Sequence, residues 1–260
     1  YRLLPFGPPG MPVAPILKPT GSNDTPCYQA VPKEFEANLE YRRQLLDRAA
    51  DSRELQREIW LACSRDILFY INAFVWTYDP RKIADGQSPK LPFITWPFQD
   101  DAFLALNESI GKTDVLIEKS RDMGASWICL TLFEWRWHFR DLQSFLMVSR
   151  KEGLVDGTGD SLFSHVDFIQ KNLPSWLMPE IRRNKLKLMN LNNGSKIEGE
   201  STTDNIGRGG RRTAMLIDEF AAFEGGGYDV LSATADNTNS RIFNSTPAGT
   251  ANAFYAQRQA

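Results

Sequence analysis

Two stretches of this sequence carry the residue types that phosphate chemistry needs. The first is Glu118-Lys119-Ser120-Arg121-Asp122-Met123-Gly124-Ala125-Ser126-Trp127. It follows a short apolar run and precedes a helical pattern, so its backbone N–H groups and the helix dipole would face an anion. Gly124 lets the main chain approach a phosphate with no side chain between them. The Ser126 hydroxyl falls where it would reach a Mg²⁺ ion, and it could also serve the helix start. Against the pattern G-x-x-x-x-G-K-[ST], Lys119 stands at the first glycine and Ala125 at the lysine. Lys119 or Arg121 would then supply, from the other end of the loop, the cation that β- and γ-phosphates require. Taken alone, the stretch reads equally well as a basic, serine-led helix start without a ligand.

The second stretch is Ala214-Met215-Leu216-Ile217-Asp218-Glu219-Phe220. Four apolar residues make a buried strand, and two carboxylates stand at its C-terminal end, where open α/β sheets bind ligands. Asp218 would hold Mg²⁺, directly or through water, and Glu219 would orient and deprotonate an attacking water. A third strand ends in Asn244-Ser245-Thr246-Pro247. The hydroxyls of Ser245 and Thr246 could sense a γ-phosphate and couple its loss to movement. Three motifs in this order, each at a strand end, point to a nucleotide-hydrolysing site.

The elements that must position these residues can be read from periodicity. Residues 101–110 read as a helix, 114–118 as a strand, 126–139 as a helix and 144–149 as a strand. That is a βαβ unit, and it predicts a parallel sheet. Further strands are expected at 196–198, 214–217 and 241–244. Upstream, residues 1–32 hold Pro5, Pro8, Pro9, Pro12, Pro15, Pro19, Pro26 and Pro32, the mark of an extended arm or a disordered tail. Lys33 to Glu58 mixes acids and bases with apolar residues at helical spacing, which predicts a charged, solvated helix. A more apolar helix follows near 67–76, and Pro80, Gly86, Pro89, Pro92 and Pro97 punctuate an irregular linker. The expected division is a proline-rich arm 1–32, a helical extension 33–89 and an ATPase domain 90–260.

Composition narrows the function classes. The net charge of -2 gives no global basic field, so nucleic-acid contacts would have to be local. Candidate clusters are Arg182-Arg183-Asn184-Lys185-Leu186-Lys187 and Arg208–Arg212, although a solvated charged loop suits the first equally. Cys27, Cys63 and Cys129 lack metal or redox spacing, and with His138 and His165 they are expected to be structural, in a reducing compartment. No apolar stretch reaches the roughly 20 residues of a membrane-spanning helix.

The combination of Lys119–Ser126, Met215–Phe220 and Asn244–Pro247 resembles the ATPase domain of the large terminase subunit, which packages DNA into tailed phage and herpesvirus capsids. That family carries a basic residue near the start of its phosphate loop, as Lys119 and Arg121 stand here. The run Ile206-Gly207-Arg208-Gly209-Gly210-Arg211-Arg212 resembles its Arg/Gly-rich approach to the acidic strand. The resemblance covers about residues 90–250. It implies a RecA-like P-loop NTPase with a central, mostly parallel sheet flanked by helices, of the additional-strand, catalytic-glutamate class, plus an N-terminal helical extension.

For the site, the resemblance implies nucleotide binding by Lys119, Ser120, Arg121, Asp122, Met123, Gly124, Ala125 and Ser126. Phe98 and Gln99, in Trp96-Pro97-Phe98-Gln99, match its aromatic-Gln element for adenine, with a core aromatic cluster as the alternative. The expected metal ligands are Ser126 and Asp218, the base is Glu219, and Ser245 and Thr246 are the coupling residues. A finger arginine is expected among Arg150, Arg208, Arg211 and Arg212, with Arg208 and Arg211 foremost, acting in cis or from a neighbouring subunit. The implied cofactors are ATP and Mg²⁺. The implied partners are double-stranded DNA, the portal protein, the small terminase subunit and a homo-oligomeric ring, expected to be a pentamer, with no membrane. The setting is the host cytoplasm, transiently at the procapsid portal. With 13 residues after Pro247, the family's C-terminal nuclease domain is expected to lie outside this chain. A helicase-like nucleic-acid-dependent ATPase is the alternative, but it would call for a second RecA-like domain.

Overall fold

The computed structural model describes residues 5–6, 14–15, 27–201 and 210–259. Within the proline-rich arm, β1 (Pro5–Phe6) and β2 (Ala14–Pro15) pair antiparallel. The chain divides into two compact units, Tyr1–Asp100 with Ile169–Met178, and Asp101–Phe168 with Pro179–Ala260.

The first unit is built on α1 (Phe35–Ala49), α2 (Arg53–Arg65) and α3 (Ile67–Phe74). The single helix expected across Lys33–Glu58 is thus two. Ser52 takes extended backbone and its side chain accepts the Leu55 N–H at 3.2 Å, so it caps a new helix. Asp66 caps α3 in the same way through the Phe69 N–H. All eight residues of α3 are buried, which leaves its last carbonyls without water. Arg42 of α1, itself buried, donates to the carbonyls of Ile71, Asn72 and Val75 and to Asn38 Oδ1. Such carbonyls need a donor, so one face of α1 is a buried polar clamp rather than a solvated surface. Burial pushes the Arg42 guanidinium down to about 9. The stretch expected to be irregular contains a hairpin, β3 (Trp76–Tyr78) with β4 (Lys90–Pro92), and the one-turn helix α4 (Arg81–Ala84). α5 (Pro97–Ser109) begins in this unit and runs into the next.

The second unit holds β5 (Val115–Glu118), α6 (Ala125–Phe139), β6 (Ser144–Ser149), α7 (Glu152–Val155) and α8 (Leu162–Lys171, whose last residues belong to the first unit). It continues through β7 (Ile181–Asn184), β8 (Lys187–Asn190), β9 (Lys196–Ser201), β10 (Ala214–Asp218), α9 (Tyr228–Ala233), β11 (Arg241–Ser245) and α10 (Ala253–Gln259). The strands form one sheet in the order β5-β11-β10-β6-β9-β8-β7. The first five are mutually parallel, and β8 and β7 close the edge antiparallel. The fold is therefore the expected α/β class with a mostly parallel sheet.

The β5-α6-β6 crossover does not join neighbours, because β11 and β10 lie between its two strands. β11 is the additional strand that separates the loop-bearing strand from the acidic one. Alternation sends Leu146, Val148, Met215, Ile217 and Phe243 to one face, where Phe220, Val230, Ala253 and Phe254 cover them. On α6, Phe133 stacks on Phe145 of the sheet at 4.4 Å between ring centroids.

Candidate nucleotide and metal site

Parallel register brings the three motifs to one edge. Asp218 lies opposite Asn244, and Ser245 opposite Glu118. All three strands therefore run out together, and the segments after them converge outside their C-terminal ends.

The loop leaving β5 turns at Asp122 and Gly124, with φ of 65° and 73°. Gly124 is the residue before α6, in left-handed conformation and with no side chain capping the helix. α6 thus begins at Ala125, one residue before the expected start. Its first turn offers its N–H groups and dipole to the space above the sheet, an arrangement suited to phosphate. Ser126, inside this first turn, is not a cap. Its Oγ lies 3.2 Å and 3.4 Å from the two carboxylate oxygens of Asp218. Asn244 Nδ2 donates to Asp218 Oδ1 at 2.6 Å and to Ser126 Oγ at 3.3 Å.

Asp218 is buried, and that burial raises its carboxyl above the usual range against the lowering effect of the Asn244 hydrogen bond. A nearby cation would reverse this balance. Glu219 is more open and sits in left-handed backbone with φ 55° and ψ 38°, an uncommon conformation for a non-glycine residue that often marks a working site. Its Oε1 is 3.2 Å from Lys119 Nζ, and the Lys119 side chain is 13% exposed. The Lys119 N–H donates to the Ser245 carbonyl at 3.2 Å, and Ser245 Oγ accepts the Ala221 N–H at 3.1 Å. The end of β11 is thereby tied to the loop on one side and to the turn after the acidic pair on the other. Thr246 contributes its carbonyl, which accepts from Ser245 Oγ at 3.0 Å.

Lys119, Ser126, Asp218, Glu219 and Ser245 are therefore brought together. Ser120, Arg121, Asp122 and Met123 are on the exposed crest of the loop, and Ala125 is buried at its base. Phe98 and Gln99 are in the first unit. Phe98 is exposed, while Gln99 is buried with its Oε1 accepting the Trp96 N–H at 3.0 Å, a bond that serves the start of α5. Among the arginines, Arg208 lies outside the described residues, Arg211 is exposed, and Arg150 directly follows β6 at the same sheet edge. Arg212 is removed from the candidates. Its side chain is 5% exposed and bonded to Glu198, with Glu200 at 4.0 Å.

Asn244, which opens the Asn-Ser-Thr-Pro motif and has no role by residue type alone, contacts both Ser126 and Asp218. The signal was a polar residue ending an apolar strand, but its meaning depends on the register with Asp218. Cys63 and Cys129 are buried. His138 meets Glu134 in the core and His165 meets Asp160. Among the described residues no three His, Cys, Asp or Glu side chains are grouped to hold a metal, and none of the helices could cross a membrane.

No protein-family model matches the chain, and no curated protein matches it by sequence. Solved structures do. The large terminase of bacteriophage HK97 superposes with a TM-score of 0.54 at 15% identity, over 73% of this chain and 39% of that one. The large terminase ATPase domain of Thermus phage P74-26 gives 0.44 at 18% identity, over 59% of this chain and 66% of that one. The large terminase of a further, thermophilic bacteriophage, in complex with ADP, gives 0.43 at 13% identity, over 58% and 37%. The chain spans 39% of the length of the HK97 protein. At this identity the HK97 likeness shows the fold: the chain has the α/β architecture of a phage large terminase.

Proposed function

We propose that this chain is the ATP-hydrolysing motor part of a phage terminase large subunit, with residues 33–89 as an N-terminal helical extension. It would couple ATP hydrolysis to the translocation of double-stranded DNA into a procapsid. The observation that carries this reading is the Ser126–Asp218 pair, 3.2 Å apart beside the uncapped start of α6.

The donor set fits Mg²⁺. This ion takes hard oxygen ligands and is held by one or two carboxylates together with substrate phosphates, and Ser126 and Asp218 offer a hydroxyl and a carboxylate. When bound, Mg²⁺ neutralises charge on the phosphate oxygens. The N–H groups of the loop and of the first turn of α6 cradle the phosphates, and Lys119 and Arg121 grip them from the loop's start. Glu219 orients the attacking water and takes its proton on a carboxylate oxygen. Ser245 and Thr246 pass the loss of the γ-phosphate to the turn at Ala221. Arg150 and Arg211 remain candidates for the arginine that meets charge in the transition state, along with Arg208.

The proposed partners are double-stranded DNA, the portal protein, the small terminase subunit and further copies of the chain in a ring, expected to be pentameric, in the host cytoplasm and at the procapsid. The test is Glu219→Gln. The variant should retain ATP binding and hydrolyse at least about 100-fold more slowly. Near-normal turnover would remove Glu219 as the base.

A further inference from the structure

We propose that Asn244 is a positioning residue that fixes Asp218 and Ser126 as one cation-binding pair. The inference rests on the reading of the site as Mg²⁺-dependent and nucleotide-binding. Asn244 is fully buried, and Asp218 is 7% exposed. The two are register partners on adjacent parallel strands, so the amide approaches the carboxylate from the side and leaves the region beyond the strand ends clear. One Nδ2 group lies 2.6 Å from Asp218 Oδ1 and 3.3 Å from Ser126 Oγ. It therefore bridges the acidic strand and the first turn of α6.

The amide's orientation follows from chemistry. With Oδ1 turned inward, two oxygens would face each other across the short contact to the carboxylate, so the inward atom must be the donor. The outward Oδ1 is buried and accepts no hydrogen bond among the described residues. Leaving a buried acceptor unmet is costly. The arrangement accepts that cost and keeps the donor on Asp218. Nothing else among the described hydrogen bonds joins Asp218 to Ser126 through a third side chain. Without the bridge, Asp218 would be a desolvated carboxylate with freedom to turn from the hydroxyl. Asn244 touches neither phosphate nor water in this scheme and acts only through the pair.

The experiment measures binding of a fluorescent ATP analogue to the 260-residue chain across a Mg²⁺ titration and in EDTA, for the wild type, Asn244→Ala and Asn244→Asp. Loss of a hydrogen bond to a charged group predicts that the Mg²⁺ concentration for half-maximal tightening rises about tenfold in Asn244→Ala. Affinity in EDTA should stay within about twofold of wild type, because Lys119, Arg121 and the backbone N–H groups proposed to hold the phosphates keep their places. Asn244→Asp keeps the shape but replaces the donor with an acceptor, and it should raise the Mg²⁺ midpoint at least as far. If Asn244→Ala does not fold, Asn244→Ser keeps a hydroxyl donor and should fall between wild type and Asn244→Asp. An unchanged Mg²⁺ midpoint, or a loss of equal size with and without Mg²⁺, overturns the positioning role while leaving the nucleotide reading intact. A wild type that binds no nucleotide under either condition overturns both.

Discussion

Lys119 and Arg121 lie two positions apart on one loop, and their sequence context does not separate them. Their environments do. Lys119 is mostly buried with its Nζ 3.2 Å from Glu219, whereas Arg121 is on the exposed crest. A cation already held inside the site loses little conformational freedom on meeting a phosphate, and its charge acts with less screening by solvent. Lys119→Met is therefore expected to weaken ATP binding about tenfold or more, and Arg121→Gln by no more than about threefold. Calorimetric titration of both variants checks this, and equal losses would remove the distinction. Arg212 teaches the converse. It belongs to an arginine-rich run, but burial against Glu198 commits it to holding the sheet.

Elements are held by polar contacts that the hydrophobic pattern does not reveal. Glu198 on β9 meets Lys187 of β8 at 3.0 Å, Lys196 at 2.8 Å and also Arg212, so it joins the antiparallel edge to the approach to β10. Burial pushes its carboxyl up, yet hydrogen bonds from Lys196, Arg212 and Lys187 outweigh that and bring it from 4.5 down to about 2. The folded state thus binds this proton less readily than the unfolded chain does. Its stabilising contribution is complete above about pH 4.5 and is lost as pH falls through about 2. Glu198→Gln should lower the thermal midpoint at pH 7, and the gap to wild type should narrow progressively below about pH 4.5. Melting curves at about pH 7, 4 and 3 check it; a gap of constant size would contradict the assignment. The two helices in place of one at Lys33–Glu58 show a similar limit. Charge and apolar spacing on both sides of Ser52 continue the helical pattern, and only the turn before Ser52 breaks it.

For the whole molecule, the distribution of charge matters more than its net value. The basic run 182–187 forms β7, a turn and β8, and much of it is internally compensated. Arg183 bridges Asp156 at 2.7 Å and Asp167 at 2.9 Å, Lys185 meets Glu152, and Lys187 meets Glu198. Paired charges release fewer counterions from a DNA backbone than free ones do. Binding to double-stranded DNA should weaken as salt rises, but Arg183→Ala should leave the slope of log affinity against log salt almost unchanged while lowering the unfolding midpoint. Fluorescence anisotropy between about 50 and 200 mM salt, paired with denaturant unfolding, separates the two. A slope reduced by about one in this variant would instead make Arg183 a phosphate contact.

The sequence by itself determined which residues had chemistry to offer and that they sat at strand ends. Residues 145–148 and 214–217 are runs of four apolar residues, and the shorter runs 115–117 and 242–243 also stop at polar residues, so the α/β core and the ends at Glu118, Asp218 and Ser245 were legible from local pattern. The order of those strands was not, because pairing is a long-range choice that local periodicity does not record. Only the tertiary structure decided that β11 and β10 stand between β5 and β6. That same choice put Asn244 opposite Asp218, Lys119 on Glu219 and Arg212 on Glu198. Each of these pairs joins residues 14 to 100 positions apart in the chain, and burial and register, rather than residue type, set the role of each side chain.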